Sequence, residues 1–230
     1  MKKEGELKDG GVEVRINGRT GKMHIKSKKV KKKLRRKGYE PKEPGDLAQI
    51  DSITEFVDSL RRYVITGIDL KGRFAFAWGY KELTSTTARD FMKKFEQVCP
   101  FKIKRVQTDN GGEFEKFFRQ YLDRNKVIQF FNYPHHPQSN GCVERFNRTV
   151  KEQFMKFNLD LMRDDIDEFN SRLMKYLLWY NTEKPHRGLG DLTPMDFYLD
   201  NFMRSSKKSN MYRDPTLLLT IRKYFAKIEK

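Results

Sequence analysis

The sequence predicts an α/β fold: a five-stranded mixed sheet flanked by helices. Three observations predict it. Three apolar or alternating segments between residues 47 and 80 are separated only by short breaks. Two more short apolar runs follow, each after a stretch of helical spacing, and two long helical segments close the pattern. Hairpins first, with strand–helix alternation afterwards, make a sheet with both antiparallel and parallel pairs.

Each element has its own signal. Leu47–Ile53, Tyr63–Asp69 and Phe74–Tyr80 read as a three-stranded meander, with Gly72 in the second turn. Thr84–Val98 places Ala88, Phe91, Met92 and Phe95 on one helical face. Ile103–Thr108 is a fourth strand. Phe114–Leu122 is a helix with Phe114, Phe117, Phe118 and Tyr121 on one side, and Val127–Phe131 is the fifth strand. These later strands arrive by right-handed crossovers, parallel to the first. Tyr133–Pro137 is an irregular loop, so His135 and His136 read as loop residues rather than zinc ligands. Asn140–Phe157 and Asp165–Tyr180 are long helices, the second burying Phe169, Leu173, Tyr176, Leu177 and Tyr180.

The ends differ from this middle. The 230 residues carry a net charge of +17, of which residues 1–45 supply +10 and 203–230 supply +6. A near-neutral core of 46–202 between two basic extensions suits a polyanion partner, because each phosphate neutralised releases a condensed counterion. In the arm, Val12, Val14 and Ile16 alternate before Asn17–Gly18, which predicts a hairpin with Met23 and Ile25. The dense run with Lys31, Lys32, Lys33, Arg35, Arg36 and Lys37 follows, and Pro41, Pro44 and Gly45 mark the domain boundary. In the tail, Asp214–Pro215 opens an amphipathic helix. Two cysteines make no disulfide framework, no run spans a bilayer, and no signal-peptide pattern follows Met1. A membrane span is therefore excluded, secretion is not expected, and a reducing intracellular compartment is expected.

Three carboxylates stand where chemistry is presented. Asp51 lies inside the first strand, Asp109 just past the fourth, and Glu144 near the start of the first long helix. Strands one and four are expected to be neighbours, and a helix across their ends brings in Glu144. Such carboxylates repel one another unless a hard divalent cation joins them, and two ions suit phosphodiester chemistry. Taken singly, each has an ordinary alternative: an edge-strand acid, a turn at Asp109–Gly112, a helix-surface acid. Glu144, Arg148 and Lys151 share one helical face, where two cations can hold a phosphate backbone. Asn147 and Asn110 are candidates to assist, and Glu113 is a helix-start acid beside the site.

Gly45–Asp51, Thr108–Phe114 and His136–Asn147, with Tyr180–Leu189 followed by Thr193–Pro194, resemble the catalytic core of DDE transposases and retroviral-type integrases, which have a ribonuclease-H-like fold. The resemblance covers about residues 46–200. The 34 residues between Asp109 and Glu144 are close to the family's usual interval. It implies that Asp51, Asp109 and Glu144 are catalytic metal ligands for Mg²⁺ or Mn²⁺, two ions with DNA bound. It further implies metal-dependent DNA cleavage and strand transfer by a homo-oligomer acting on element ends and a target, in the bacterial cytoplasm at the nucleoid. No membrane or small-molecule substrate is expected. Asn147, Arg148, Lys151 and the basic run are the expected DNA contacts. Residues 1–45 show neither three well-formed helices nor an integrase-type His/Cys spacing, so either the basic arm replaces the usual DNA-reading domain or the chain is a truncated copy. A ribonuclease-H-like nuclease and an inactive DNA-binding transposase remnant are the alternatives.

Overall fold

A computed structural model describes residues 12–16, 23–27, 32–36, 38–132 and 140–205. The chain divides into two compact units, 1–33 and 34–230. In the first, β1 (Val12–Ile16) pairs antiparallel with β2 (Met23–Ser27), setting Val14 opposite Ile25 and Ile16 opposite Met23, as the hairpin signal predicts. The second unit holds the sheet: β3 (Ala48–Val57), β4 (Leu60–Asp69), β5 (Ala75–Tyr80), β6 (Arg105–Thr108) and β7 (Ile128–Phe131). Their order is β5-β4-β3-β6-β7. β3–β4 and β4–β5 are antiparallel, and β3–β6 and β6–β7 are parallel. This is the expected mixed sheet.

The helices are α1 (Ser85–Val98), α2 (Lys116–Arg124), α3 (Gly141–Gln153), α4 (Leu159–Asp164), α5 (Ile166–Thr182) and α6 (Pro194–Ser205). Neighbouring strand residues face opposite sides of a sheet. Gly67 of β4 faces Phe91 and Phe95 of α1, while Thr66 faces Asn147 of α3. Thus α1 covers one face and α3 the other. Gly79 of β5 meets Ile166, Phe169 and Asn170, so α5 lies on the α3 side. Among the described residues, no helix is long and apolar enough to cross a membrane.

Several boundaries differ from expectation for local reasons. The second unit starts at Leu34, ahead of the Gly45 break. Leu34 bridges to Phe131, and Asp46 accepts hydrogen bonds from the Tyr39 hydroxyl (2.7 Å), the Lys42 N–H (3.1 Å) and Arg105. Burial alone would raise the Asp46 pKa, but these donors hold it below its ordinary value. A 3₁₀ turn at Gly112–Phe114 precedes α2, so the helix starts later, and Phe117 is 48% exposed rather than in the core with Phe114 and Phe118. The helix carrying Glu144 stops at Gln153, where a 3₁₀ turn at Met155–Phe157 leads into the unanticipated α4. Arg62 clamps that short helix, donating to the Met162 and Arg163 carbonyls at 3.0 and 2.9 Å. The other unanticipated helix, α6, starts with Pro194 at its first position, and Thr193 Oγ1 accepts from the Asp196 N–H at 3.0 Å. It runs through residue 202, past the expected end of the core. The 133–137 loop and the helix expected from Asp214 lie outside the described residues.

Two asparagines of α5 finish the sheet's β5 edge. Asn181 accepts from the Ala75 N–H at 2.9 Å and donates to the Ala75 carbonyl at 2.8 Å. Asn170 does the same to Gly79, at 2.7 and 3.1 Å. Each side-chain amide thus takes the place of a missing neighbouring strand.

Gly67 allows close packing of strand on helix. A Cβ there would sit 2.7 Å from Phe95 Cε1, and Phe95 stacks on Phe76 at 5.9 Å between ring centres. Gly67→Ala must displace that buried ring pair, so it is expected to destabilise the fold by about 1–3 kcal/mol, read as a lower urea midpoint with an unchanged m-value.

Candidate active site

Strand register and two hydrogen bonds assemble the acidic constellation. Ala48 pairs with Val106 and Gln49 with Gln107 in the parallel β3–β6 ladder. The same offset sets Asp109, one residue past β6, level with Asp51. Helix α3 is pinned to β3 twice: the Val143 N–H donates to Gln49 Oε1 at 3.2 Å, and Asn147 Nδ2 donates to Asp51 Oδ2 at 2.9 Å. Glu144 is bracketed between these pins, in the first turn of α3, and is exposed. Thr66, opposite Asp51 on β4, fixes the Asn147 amide by donating to its Oδ1 at 2.6 Å.

The three carboxylates therefore gather at one end of the sheet. Asp51 is raised from an ordinary 3.8 to about 6, chiefly by burial and further by the charges of Asp109 and Glu144. The Ser52 N–H, on Asp51 Oδ1 at 2.9 Å, and Asn147 oppose that rise. Asp109 Oδ1 accepts from the Gly111 N–H at 2.9 Å. Glu113 lies alongside: its Oε1 accepts from the Ser52 hydroxyl at 3.1 Å, and its carboxylate covers Gly111 so closely that a Cβ there would be 2.5 Å from Oε2.

The donor set is all carboxylate oxygen, which fits a hard divalent cation by chemistry. Its present geometry is open: among the described residues, no three His, Cys, Asp or Glu side chains are close enough to hold a metal ion. Binding one would require the carboxylates to draw closer together.

A raised Asp51 has a definite sign. Its folded pKa lies above its unfolded value, so the neutral form favours the fold, and that contribution is lost as pH rises from about 4 to 6. In metal-free protein, Asp51→Asn is expected to raise stability at pH 7 by about 1–2 kcal/mol, discounted for partial solvent access, and to flatten this pH dependence. Thermal unfolding at pH 5 and 7 checks it, and Mg²⁺ should stabilise the parent protein more at pH 7 than at pH 5.

The expected DNA contacts fall in different places. Arg148 is exposed. Lys151 is exposed but paired with Glu55 Oε1 at 2.7 Å; a surface pair of this kind contributes about 0–1 kcal/mol and yields readily to a phosphate. Asn147 is engaged within the protein by Asp51 and Thr66. Lys32 and Lys33 are exposed in the first unit, whereas Arg35 (half-buried) and Arg36 (exposed) belong to the second. Lys31 and Lys37 lie outside the described residues. Gln49, Ser52 and Thr66 are structural neighbours of this constellation that the sequence did not single out. Thr66 was findable once the β3–β4 register was drawn, since it stands opposite Asp51.

Known proteins resemble this chain in sequence and in fold. The integrase core domain family matches residues 125–194. ORF3 of Spiroplasma virus SpV1-C74, which bears an integrase name, is 30% identical over 197 residues, covering 76% of this chain. This chain spans about half of that relative's length, 53%. The HTLV-2 integrase catalytic core domain, solved in complex with magnesium, superposes with a TM-score of 0.56 at 18% identity, covering 69% of this chain and 99% of that one. A simian T-cell lymphotropic virus intasome chain gives 0.61 at 18% identity, covering 81% and 62% respectively. These structural likenesses establish the shared fold.

Proposed function

We propose, on the premise that this chain carries an integrase-type core domain, that it is a divalent-metal-dependent polynucleotidyl transferase that cuts DNA and joins the resulting 3′-hydroxyl end to a target phosphodiester. What supports this reading is the β3–β6 register, which sets Asp109 level with Asp51, together with the two pins that hold α3, and with it Glu144, against β3. In this reading the three carboxylates hold Mg²⁺ or Mn²⁺, two ions with DNA bound. The metal supplies activation of the attacking oxygen and stabilisation of the departing one.

The chain's own residues do the rest. Thr66 orients Asn147, and Asn147 keeps Asp51 aimed across the sheet end. Arg148, released Lys151 and the basic run around Arg35 and Arg36 hold the phosphate backbone, which is DNA at both the cut end and the target. Paired ends call for a homo-oligomer, and the intasome likeness supports that assembly.

The test is joining of a pre-cut oligonucleotide to a plasmid, with Mg²⁺, with Mn²⁺ and with chelator. Joined product that depends on metal supports the reading. Metal-dependent hydrolysis without joining reassigns the chain as a nuclease, and DNA binding with neither reaction marks it as an inactive binder.

A further inference from the structure

On the flank of α3 away from the carboxylates is a cavity of about 260 Å³. Ile68, Phe146 and Tyr180, all buried, line it. Arg73, Arg145, Lys184 and Arg187 supply its charge. No Asp or Glu lines it, and none of these four cations is ion-paired to a carboxylate among the described residues. Asp69 senses Arg73, but that carboxyl is itself buried and tied to the Gly45 and Gly72 N–H groups.

Two of the cations and the loop that carries a third are held in place. Arg73 donates to Cys142 of α3. Lys184 Nζ lies 5.4 Å from the ring centres of both Trp179 and Tyr180 and donates to Gln153 Oε1 at 2.9 Å. His186 packs edge-on against Tyr180, and the His186 backbone N–H donates to the Leu192 carbonyl at 3.0 Å, which fixes the loop carrying Arg187. Burial lowers the Lys184 ammonium, and burial followed by Lys184 and Arg73 lowers the His186 imidazole. Positive groups assembled at this density without a counter-charge repel one another, and an anion removes that cost.

We propose that this pocket seats a backbone phosphate and its sugar from a nucleic-acid strand, as a second anchoring point across α3 from the carboxylates. The proposal takes its polymer, but not its site, from the reading above. The apolar lining suits a sugar, the cations suit a phosphate, and the volume is below that of a usual cofactor site. Helix geometry supplies the path. At about 100° per residue, Arg148 lies between Glu144 and Arg145 around α3, so a strand leaving the carboxylates passes Arg148 and reaches Arg145 and Arg187. The Tyr180–Leu189 segment, whose role the carboxylate site leaves unexplained, thereby acquires one.

The test is DNA affinity of the full chain without divalent metal, by fluorescence anisotropy across a salt series. Arg145 and Arg187 are exposed, so Arg145→Ala/Arg187→Ala leaves the core intact. The double variant is expected to bind about tenfold more weakly near 0.1 M salt, with a log–log salt slope shallower by about 1–2. Arg145→Lys/Arg187→Lys should restore the slope. Lys93→Ala/Arg124→Ala, on the α1–α2 side, should change affinity far less. Unchanged affinity and slope in Arg145→Ala/Arg187→Ala overturn the proposal. So does binding of a free mononucleotide that this variant loses while keeping its DNA affinity, since the pocket would then serve a small molecule. The readout needs neither metal nor strand joining, so failure of the transferase reading is scored separately.

Discussion

Asp51→Asn, Asp109→Asn and Glu144→Gln are each expected to lower metal-dependent strand transfer by about 10³-fold or more, while DNA affinity without metal stays within a few-fold. Each change keeps size and shape and removes one anionic oxygen. A metal at the reacting phosphate contributes several kcal/mol, and each 1.4 kcal/mol is tenfold in rate, so losing one ligand has room for an effect of this size. The three differ in collateral cost. Asp109→Asn keeps an oxygen able to accept from the Gly111 N–H, and Glu144 is exposed, so both variants should fold as the parent does. Asp51→Asn changes a partly buried contact with Asn147 but removes a carboxylate that is disfavoured there without metal. Single-turnover joining of a pre-cut end measures all three. Near-parental activity in any one of them removes that residue from the metal site.

Asn181→Ala is expected to cost about 2–5 kcal/mol of stability. It strands the Ala75 N–H and carbonyl in the interior, and each buried polar group left unpaired costs about 1–3 kcal/mol. Asn170→Ala should cost a similar amount through Gly79. The double variant approaches the whole stability of an ordinary domain and should fail to fold, or aggregate through the uncovered β5 edge. Chemical denaturation of the single variants checks this. An effect below about 1 kcal/mol for either would mean that water takes over the amide's bonds.

What the sequence displayed was periodicity and order. The alternation through Ile50 and Ile53, the aromatic face of Phe91 and Phe95 and the apolar stripe through Phe169, Leu173 and Leu177 are repeating signals, and these elements stand where they were expected. The non-repeating features escaped. Helix α4 is six residues long and depends on a guanidinium about 100 residues earlier, a partnership that no local window contains. Phe117 looks like its neighbours, but the turn at Gly112–Phe114 rotates α2 so that it faces solvent. At the site, the acids were legible as types in an order. The pins that hold α3 against β3, Val143 to Gln49 and Asn147 to Asp51, span 94 and 96 residues and became visible only in three dimensions.

The seam between the two units has a mechanical consequence. It falls within the basic run, leaving Lys32 and Lys33 on one side and Arg35 and Arg36 on the other. The arginines are stitched to the sheet through Leu34 and Phe131 and through Tyr39 and Asp46. An anion held by that segment would be indexed to the strands of the sheet.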